Sequence, residues 1–327
     1  MVKHYLVIAH RGPEQVHRLV TRLDDGSSHV WVHLDAATPL EGWEGLSAHP
    51  AATLVTPRLR CVWGAWSQVQ SILVALRAAL SSGRPGYVVL LSGQDYPVRS
   101  AAAIDAYLDA HRNAVHLEGG TLEQTWGERA RWKTDYYCVP FSDRRGDLKL
   151  IPPLSSLPLR DRVNWTRLLV GHEGIGPGLR LVADLMPPRR PVVSVQFGGA
   201  SWWGMPWDVA GAVVHFLDTH PEFERYFRYT QCPDEIIFHT VIDQLRSTGQ
   251  VREILPKLTH VVWPPESNGS PKVLGMQDLP ELLALPEHVL FARKLDLDQD
   301  RALFDALDQA SPRQHAAPDR STGGGAW

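Results

Sequence analysis

Apolar runs that alternate with helical patterns constrain the fold of this chain more than any other sequence feature. The run Tyr5–Ala9 contains no charged residue and is typical of a strand buried on both faces. Strand-like runs follow at His29–Asp35, Ala52–Thr56 and Tyr87–Ser92. Strand and helix patterns alternate four times, which predicts an α/β fold with a mostly parallel twisted sheet and helices on both faces.

The helices are indicated by apolar residues at helical spacing. Pro13 is expected to start the first helix, with an apolar face formed by Val16, Leu19, Val20 and Leu23. Ser67 is predicted to cap the N-terminus of a long second helix, and a third passes through Ile104. Later in the chain we expect strands at Val192–Gln196 and Val289–Asp296, and helices at 207–218 and from Pro233.

The domain organisation predicted from these patterns is a single domain over residues 1–309. From about 120 to 190 the periodicity weakens and prolines cluster, which indicates an irregular insertion at the sheet edge. Residues 310–327 are rich in Pro, Gly, Ser and Ala, so we expect a disordered tail.

Composition and missing motifs exclude several classes of protein. A net charge of −3 gives no indication of nucleic-acid binding, and three cysteines without a CxxC pair argue against a disulfide scaffold or structural zinc. No stretch approaches the roughly 18 apolar residues of a membrane span, so we expect a soluble cytoplasmic protein without a transmembrane segment. The absence of Walker A, GxGxxG, HExxH and GxSxG sequences disfavours kinases, dehydrogenases, metalloproteases and serine hydrolases.

Polar residues follow three of the predicted strands. His10, Asp35 and Asp95 stand at or just beyond strand carboxyl ends, where open α/β sheets bind ligands. We therefore expect these three side chains to gather on one edge of the sheet.

Pro233-Asp234-Glu235 has the pattern of a helix start. Pro233 suits the first helical position, and the two acids would lie near the positive end of the helix dipole. A carboxylate held there stays ionised near neutral pH, which makes Glu235 a candidate general base. The alternative is that both acids only cap the helix.

Cations and acids near the end of the chain suggest a phosphate site. Arg293 and Lys294 lie in an apolar segment, where a diphosphate would neutralise them, although an edge strand facing water is an equal alternative. Lys272 is a second candidate phosphate contact or an ordinary surface lysine. Asp296-Leu-Asp298 resembles a metal-binding Asp-x-Asp, but Asp298 is favoured as a helix cap.

Four motifs carry a resemblance to a known family: Ala65–Gln70, Leu91–Pro97, Pro233–Glu235 and Leu290–Lys294. In this order they resemble the Core-2/I-branching enzyme family, which contains β-1,6-N-acetylglucosaminyltransferases and peptide O-xylosyltransferases (glycosyltransferase family 14). The resemblance covers most of residues 4–300. It implies a GT-A-like fold and transfer with inversion, without a metal or other cofactor.

The resemblance also implies roles for individual residues. Glu235 would be the general base, Lys294 would bind the UDP diphosphate, and the segment from Arg131 to Lys133 would face the acceptor together with Trp263. The predicted nucleotide-sugar site comprises His10, Asp35, Trp66, Asp95, Lys272, Arg293 and Lys294; the predicted acceptor site comprises Arg131, Lys133, Trp202 and Trp263. Trp207 and Pro265 depart from the family pattern on the acceptor side.

The sequence therefore favours an inverting, metal-independent glycosyltransferase that moves a sugar from a UDP-sugar to an acceptor hydroxyl. N-acetylglucosamine is the expected sugar, and xylose is the near alternative. A non-catalytic sugar- or nucleotide-binding protein of the same fold, and a metal-dependent transferase using Asp296 and Asp298, are the other hypotheses.

Overall fold

The computed structural model describes residues 1–264 and 269–310. Its strands are β1 (Val2–Ala9), β2 (His29–Leu34), β3 (Ala52–Leu54), β4 (Gly86–Ser92), β5 (Tyr96–Pro97), β6 (Val115–His116), β7 (Gly119–Thr121), β8 (Tyr137–Pro140), β9 (Leu148–Ile151), β10 (Phe197–Gly199), β11 (Gly204–Pro206), β12 (Ile254–Leu255), β13 (Thr259–Val261) and β14 (Phe291–Arg293). Its α-helices are α1 (Pro13–Leu23), α2 (Glu44–Ser47), α3 (Trp66–Ser81), α4 (Ala101–Ala110), α5 (Leu122–Trp126), α6 (Ala130–Thr134), α7 (Leu159–Glu173), α8 (Ile175–Asp184), α9 (Trp207–Thr219), α10 (Pro221–Phe227), α11 (Ile237–Ser247), α12 (Leu279–Leu283) and α13 (Arg301–Ala310). Short 3₁₀ turns occur at Gly127–Arg129, Leu154–Ser156, Pro233–Glu235 and Met276–Asp278.

The main sheet is mostly parallel, as the sequence predicted. In the described residues it has seven strands in the order β12-β6-β11-β4-β1-β2-β3. Strand β1 lies between β2 and β4 and is parallel to both, whereas β11 is antiparallel to its neighbours β4 and β6. A second sheet, β13-β14-β5, contains the middle of the predicted strand Val289–Asp296, since β14 covers Phe291–Arg293.

Helices cover both faces of this sheet, because the side chains of β1 alternate between two apolar clusters. Tyr5 and Val7 belong to the cluster that contains α1 and α13, whereas Leu6 belongs to the cluster that contains α3, α9 and α11. The predicted apolar face of α1 is buried in full. The GT-A-like α/β class is thus confirmed.

Two local predictions, at Ser67 and at residues 192–196, are wrong. Ser67 is not the cap of α3: Ala65 takes that position, and the Ser67 hydroxyl accepts a hydrogen bond from the Val62 N–H group at 2.8 Å. Residues 192–196 form no strand; β10 begins at Phe197. The apolar character of this run reflects the packing of Val192 and Val193 against the core rather than strand pairing.

Residues 120–190 are more regular than the sequence predicted. They contain the β8–β9 hairpin and the helices α7 and α8, with a small core of their own that includes Ile151, Leu169 and Leu185. The sequence missed α7 because Leu169 is its one buried residue while Leu159 and Leu168 are exposed, so no clean apolar face marks the helix.

This segment lies against the chain that follows α10. The Cys138 N–H group donates to the Tyr229 carbonyl oxygen at 2.7 Å, and the Tyr229 hydroxyl donates to Asp184 at 2.8 Å. The extent of the single domain stays a prediction, and residues 311–327 of the predicted tail lie outside the described residues. Among the helices that the structure describes, none combines the length and hydropathy that a membrane crossing requires.

Candidate active site

The carboxyl ends of the parallel strands form one edge of the site. Asp35 follows β2, and its carboxylate accepts hydrogen bonds from the N–H groups of Ala37 at 2.7 Å and Cys61 at 3.1 Å. The carbonyl oxygen of His10, which follows β1, accepts from the Thr38 hydroxyl at 2.8 Å. Loss of hydration around its ring and the nearby charge of Arg11 lower the pKa of His10, against the opposing charge of Asp35. Asp35 therefore shapes the loops at this edge.

Arg293 and Asp95 form a buried pair beside this edge. The Nε atom of Arg293 lies 3.5 Å from Oδ1 of Asp95, whose side chain is 0% exposed. The Arg293 guanidinium lies 4.0 Å from the ring centroid of Trp202. Burial lowers the pKa of Arg293 and raises that of Asp95, while each partner opposes the other's shift. The charge of Arg293 is therefore already matched within the protein.

Lys294 is in a different situation from its neighbour. Burial lowers its pKa to about 8, and the charges of Arg293, Arg145 and Arg11 add to this effect, against the opposing charge of Asp95. An anion bound among these cations would relieve their mutual repulsion. Lys294 is thus the phosphate-binding candidate that the electrostatics favour.

The sequence reasoning missed two of these cations. Arg11 directly follows His10 at the end of β1, a position that could have pointed to it, and its guanidinium donates to Asp296 at 3.0 Å. Arg145 lies between β8 and β9, in a segment interpreted as an insertion. Its guanidinium lies 4.5 Å from the Trp63 ring centroid and donates to the Gly269 carbonyl at 2.6 Å.

Lys272 is committed elsewhere. Its ammonium donates to Asp278 Oδ1 at 2.6 Å. Its backbone nevertheless supports Lys294, because the Lys294 N–H group donates to the Lys272 carbonyl oxygen at 3.3 Å. Lys272 therefore helps to place Lys294 and does not bring a second unpaired cation.

The Asp296 carboxylate has local partners. Asp296 accepts from Arg11 and, at 3.2 Å, from the N–H group of Asp298. The predicted cap at Asp298 is wrong: Asp300 accepts from the Leu303 N–H group at 3.1 Å at the start of α13. In residues 1–264 and 269–310, no three His, Cys, Asp or Glu side chains are grouped so that they could hold a metal ion.

Pro233-Asp234-Glu235 forms a separate 3₁₀ turn, so the prediction of a helix starting at Pro233 is wrong. The helix α11 begins at Ile237, because Ile236 has a φ of −126° and interrupts the helical path. Proline disfavours the α conformation in the preceding residue, and Cys232 adopts a left-handed φ of 48°. The Cys232 N–H group donates to the Gly64 carbonyl at 2.9 Å, which fixes the turn against the start of α3.

Glu235 is held by a lysine. Its Oε2 atom lies 2.9 Å from Nζ of Lys133, and 31% of its side chain is exposed. Burial raises the pKa of Glu235, Lys133 opposes this shift, and Asp234 adds to it. The adjacent ammonium therefore favours the ionised carboxylate, a contribution that the sequence did not predict.

Asp234 connects this turn to the cations. Its Oδ2 atom accepts from the Ser201 hydroxyl at 2.8 Å, and burial raises its pKa. Ser201 precedes Trp202, and the ring of Trp202 lies against the Arg293 guanidinium. Asp234 also acts on Arg293 directly, because its negative charge opposes the lowering of the Arg293 pKa by burial. The Glu235 turn and the Arg293–Lys294 segment consequently belong to one site.

The remaining predicted residues separate into buried and exposed groups. Trp66 is 8% exposed and packs in the core with α3, and Lys133 is buried against Glu235. Trp263 is 57% exposed and Arg131 is also exposed. Of the predicted acceptor residues, Lys133 therefore contacts the candidate base, whereas within the described residues no hydrogen bond, ion pair or ring contact joins Trp263 or Arg131 to Glu235.

Comparisons with known proteins agree with the fold and the motifs. The model of the Core-2/I-Branching enzyme family matches residues 4–166. Xylosyltransferase 2 of Rattus norvegicus is 23% identical over 94% of this chain and 33% of its own length. Xylosyltransferase oxt of Drosophila melanogaster is 24% identical over 93% of this chain and 32% of its own length.

The chain therefore spans about one third of the length of these curated relatives. The family match covers the main parallel strands with α1 and α3, and the relatives extend the similarity over the Glu235 turn and the Lys294 segment. On this evidence the similarity to the Core-2/I-branching enzyme family that the motifs suggested is confirmed over residues 4–166.

Proposed function

We propose that the chain is an inverting glycosyltransferase that moves a sugar from a UDP-sugar to an acceptor hydroxyl. Glu235 accepts the proton of the hydroxyl as its oxygen attacks the anomeric carbon from the side opposite UDP. The observation that carries this proposal is that a partly exposed, lysine-paired carboxylate is linked through Asp234 to a cluster of cations. A base and an anion-binding cluster together are what a single displacement from a nucleoside diphosphate needs.

The cations would stabilise the leaving UDP. Negative charge accumulates on the diphosphate as the bond to the sugar breaks, and fixed cations can stabilise that charge in place of a metal ion. Lys294 would contact the diphosphate, with Arg145 and Arg11 close enough to add to the positive potential. Arg293, paired with Asp95, would position Lys294 and contribute to the field. We therefore propose transfer that does not depend on a metal.

The donor sugar has two candidates. The sequence motifs led us to expect N-acetylglucosamine, whereas the names of the matched relatives favour xylose. Release of UDP from UDP-N-acetylglucosamine and from UDP-xylose, with water as acceptor, compares the two directly. A non-catalytic binding protein would release UDP from neither.

Substitution Glu235→Gln should reduce turnover by about 10²–10⁴-fold, the usual contribution of a general base. UDP affinity should stay within a few-fold, because the amide keeps the shape of the side chain. Turnover is measured as UDP release and affinity by calorimetry. Glu128 is an exposed glutamate in the 3₁₀ turn Gly127–Arg129, directly before α6. Glu128→Gln is therefore the matched control and should behave as the wild type. Near-normal turnover in Glu235→Gln would contradict the role of Glu235.

UDP affinity should fall as the pH rises through about 8, because the pKa of Lys294 is about 8 and its cation is lost above that value. Lys294→Arg should remove this pH dependence, since arginine keeps its charge. Lys294→Ala should weaken UDP binding about 10- to 100-fold, the range of a charge-assisted hydrogen bond. The exposed Lys149→Ala serves as control. An unchanged dissociation constant in Lys294→Ala would refute the assignment.

Treatment with EDTA should leave the rate of UDP release unchanged, because the proposed site stabilises the diphosphate with side-chain cations. The measurement compares initial rates with and without EDTA, and with Mg²⁺ or Mn²⁺ restored. Loss of activity that a divalent ion restores would favour the metal-dependent alternative through Asp296 and Asp298.

A further inference from the structure

The ammonium of Lys133 is an unusual feature of this site, since lysine heads normally stay in water. Only 7% of the Lys133 side chain is exposed. Its Nζ atom donates to the Gln231 carbonyl at 3.1 Å and to Glu235 Oε2 at 2.9 Å, and it lies 4.3 Å from the ring centroid of Trp126. These contacts occupy the ammonium, although the sequence reasoning assigned Lys133 to the acceptor.

We propose that Lys133 is a positioning residue that keeps Glu235 ionised and fixes the orientation of its carboxylate, rather than a contact of the acceptor. The inference rests on the proposed role of Glu235 as the base. With Oε2 bound to Lys133, the other oxygen, Oε1, is the one that accepts the proton of the acceptor hydroxyl.

The backbone that carries Lys133 is fixed by the partly buried Arg189. Nη1 of Arg189 donates to the Lys133 carbonyl oxygen at 2.9 Å, and its Nη2 donates to the Tyr226 carbonyl oxygen at 2.9 Å. This bridge ties the end of α6 to α10. On the other side, Trp126 packs against Gly198, where an added Cβ would lie 2.6 Å from the indole ring. Lys133 therefore cannot easily move away from Glu235.

The charges around Glu235 support this role. Asp234, in the same turn, disfavours a second negative charge, and Arg293 from β14 acts on Asp234. The thiols of Cys232, in the segment before the turn, and Cys138, from β8, are neutral near pH 7: burial raises the pKa of Cys138 to about 11 and that of Cys232 well above its usual range.

Lys133 is thus the cation that acts on Glu235 within the described residues. Burial lowers the pKa of Lys133, but the charge of Glu235 and its hydrogen bond outweigh burial and raise this pKa above its usual value. The ammonium is therefore charged near neutral pH, beside the carboxylate that it stabilises.

The test is the pH profile of kcat/KM, which reports the pKa of the base in the free enzyme. Glu235 must be ionised to act, so activity falls on the acid side of its pKa. Removal of the cation in Lys133→Met should raise the pKa of Glu235. The acid limb of the profile, where kcat/KM falls as Glu235 takes up a proton, should then move about 1–3 pH units higher, and kcat/KM should recover at pH values above the new pKa. Lys133→Arg should restore the limb. Lys257→Met, which removes a lysine paired with Glu118 at 2.8 Å, is the control and should not move it.

An unshifted acid limb in Lys133→Met, or an equal loss of kcat/KM at every pH, would overturn the inference, since a purely structural or acceptor-binding lysine would give that result. If Lys133→Met does not fold, the protonation state of Glu235 can be measured instead, from infrared difference spectra of the wild type minus Glu235→Gln. A protonated Glu235 carboxyl at pH 7 overturns the inference, and an ionised one supports it. Near-normal turnover of Glu235→Gln would instead refute the proposed function itself.

Discussion

The ion pair between Lys133 and Glu235 is the interaction on which the rest of this site depends. A carboxylate largely removed from water and placed beside Asp234 would tend to take up a proton, and a protonated carboxyl cannot act as a base. The Lys133 ammonium, 2.9 Å from Oε2 of Glu235, opposes this tendency because its positive charge stabilises the ionised carboxylate. The 3₁₀ turn, the left-handed Cys232 and the Arg189 bridge all serve to keep these two side chains together.

Pairing also decides which cation is available to a ligand. Arg293 and Lys294 are adjacent cations that the sequence alone does not distinguish. In the structure Arg293 forms an ion pair with Asp95, whereas Lys294 lies among other cations. Burial lowers the pKa of Lys294 to about 8, and the repulsion of these cations adds to the shift. The same site thus holds one balanced ion pair for structure and one unbalanced charge that an incoming diphosphate would stabilise.

The sequence predicted helices and strands well where regularly spaced apolar residues are also the buried ones, and poorly where few of the apolar residues are buried. The apolar spacing of α1 and the apolar runs of β1 and β4 were sufficient to predict a parallel sheet, because each of these elements faces a core. Helix α7 buries one residue, Leu169, so no periodicity was available. Short motifs pointed to Glu235 and Lys294, whose roles stay predictions. The sequence could not show that Lys133 pairs with Glu235, because the two residues are 102 positions apart and come together only in the folded chain.

The central claim is that Glu235 promotes a single displacement at the anomeric carbon, and the stereochemistry of the product tests it most directly. Proton NMR can follow the sugar released from a UDP-α-sugar into water and resolve its anomers before they interconvert. The account predicts that the β anomer is released first. Release of the α anomer first would show retention of configuration and would contradict the single displacement.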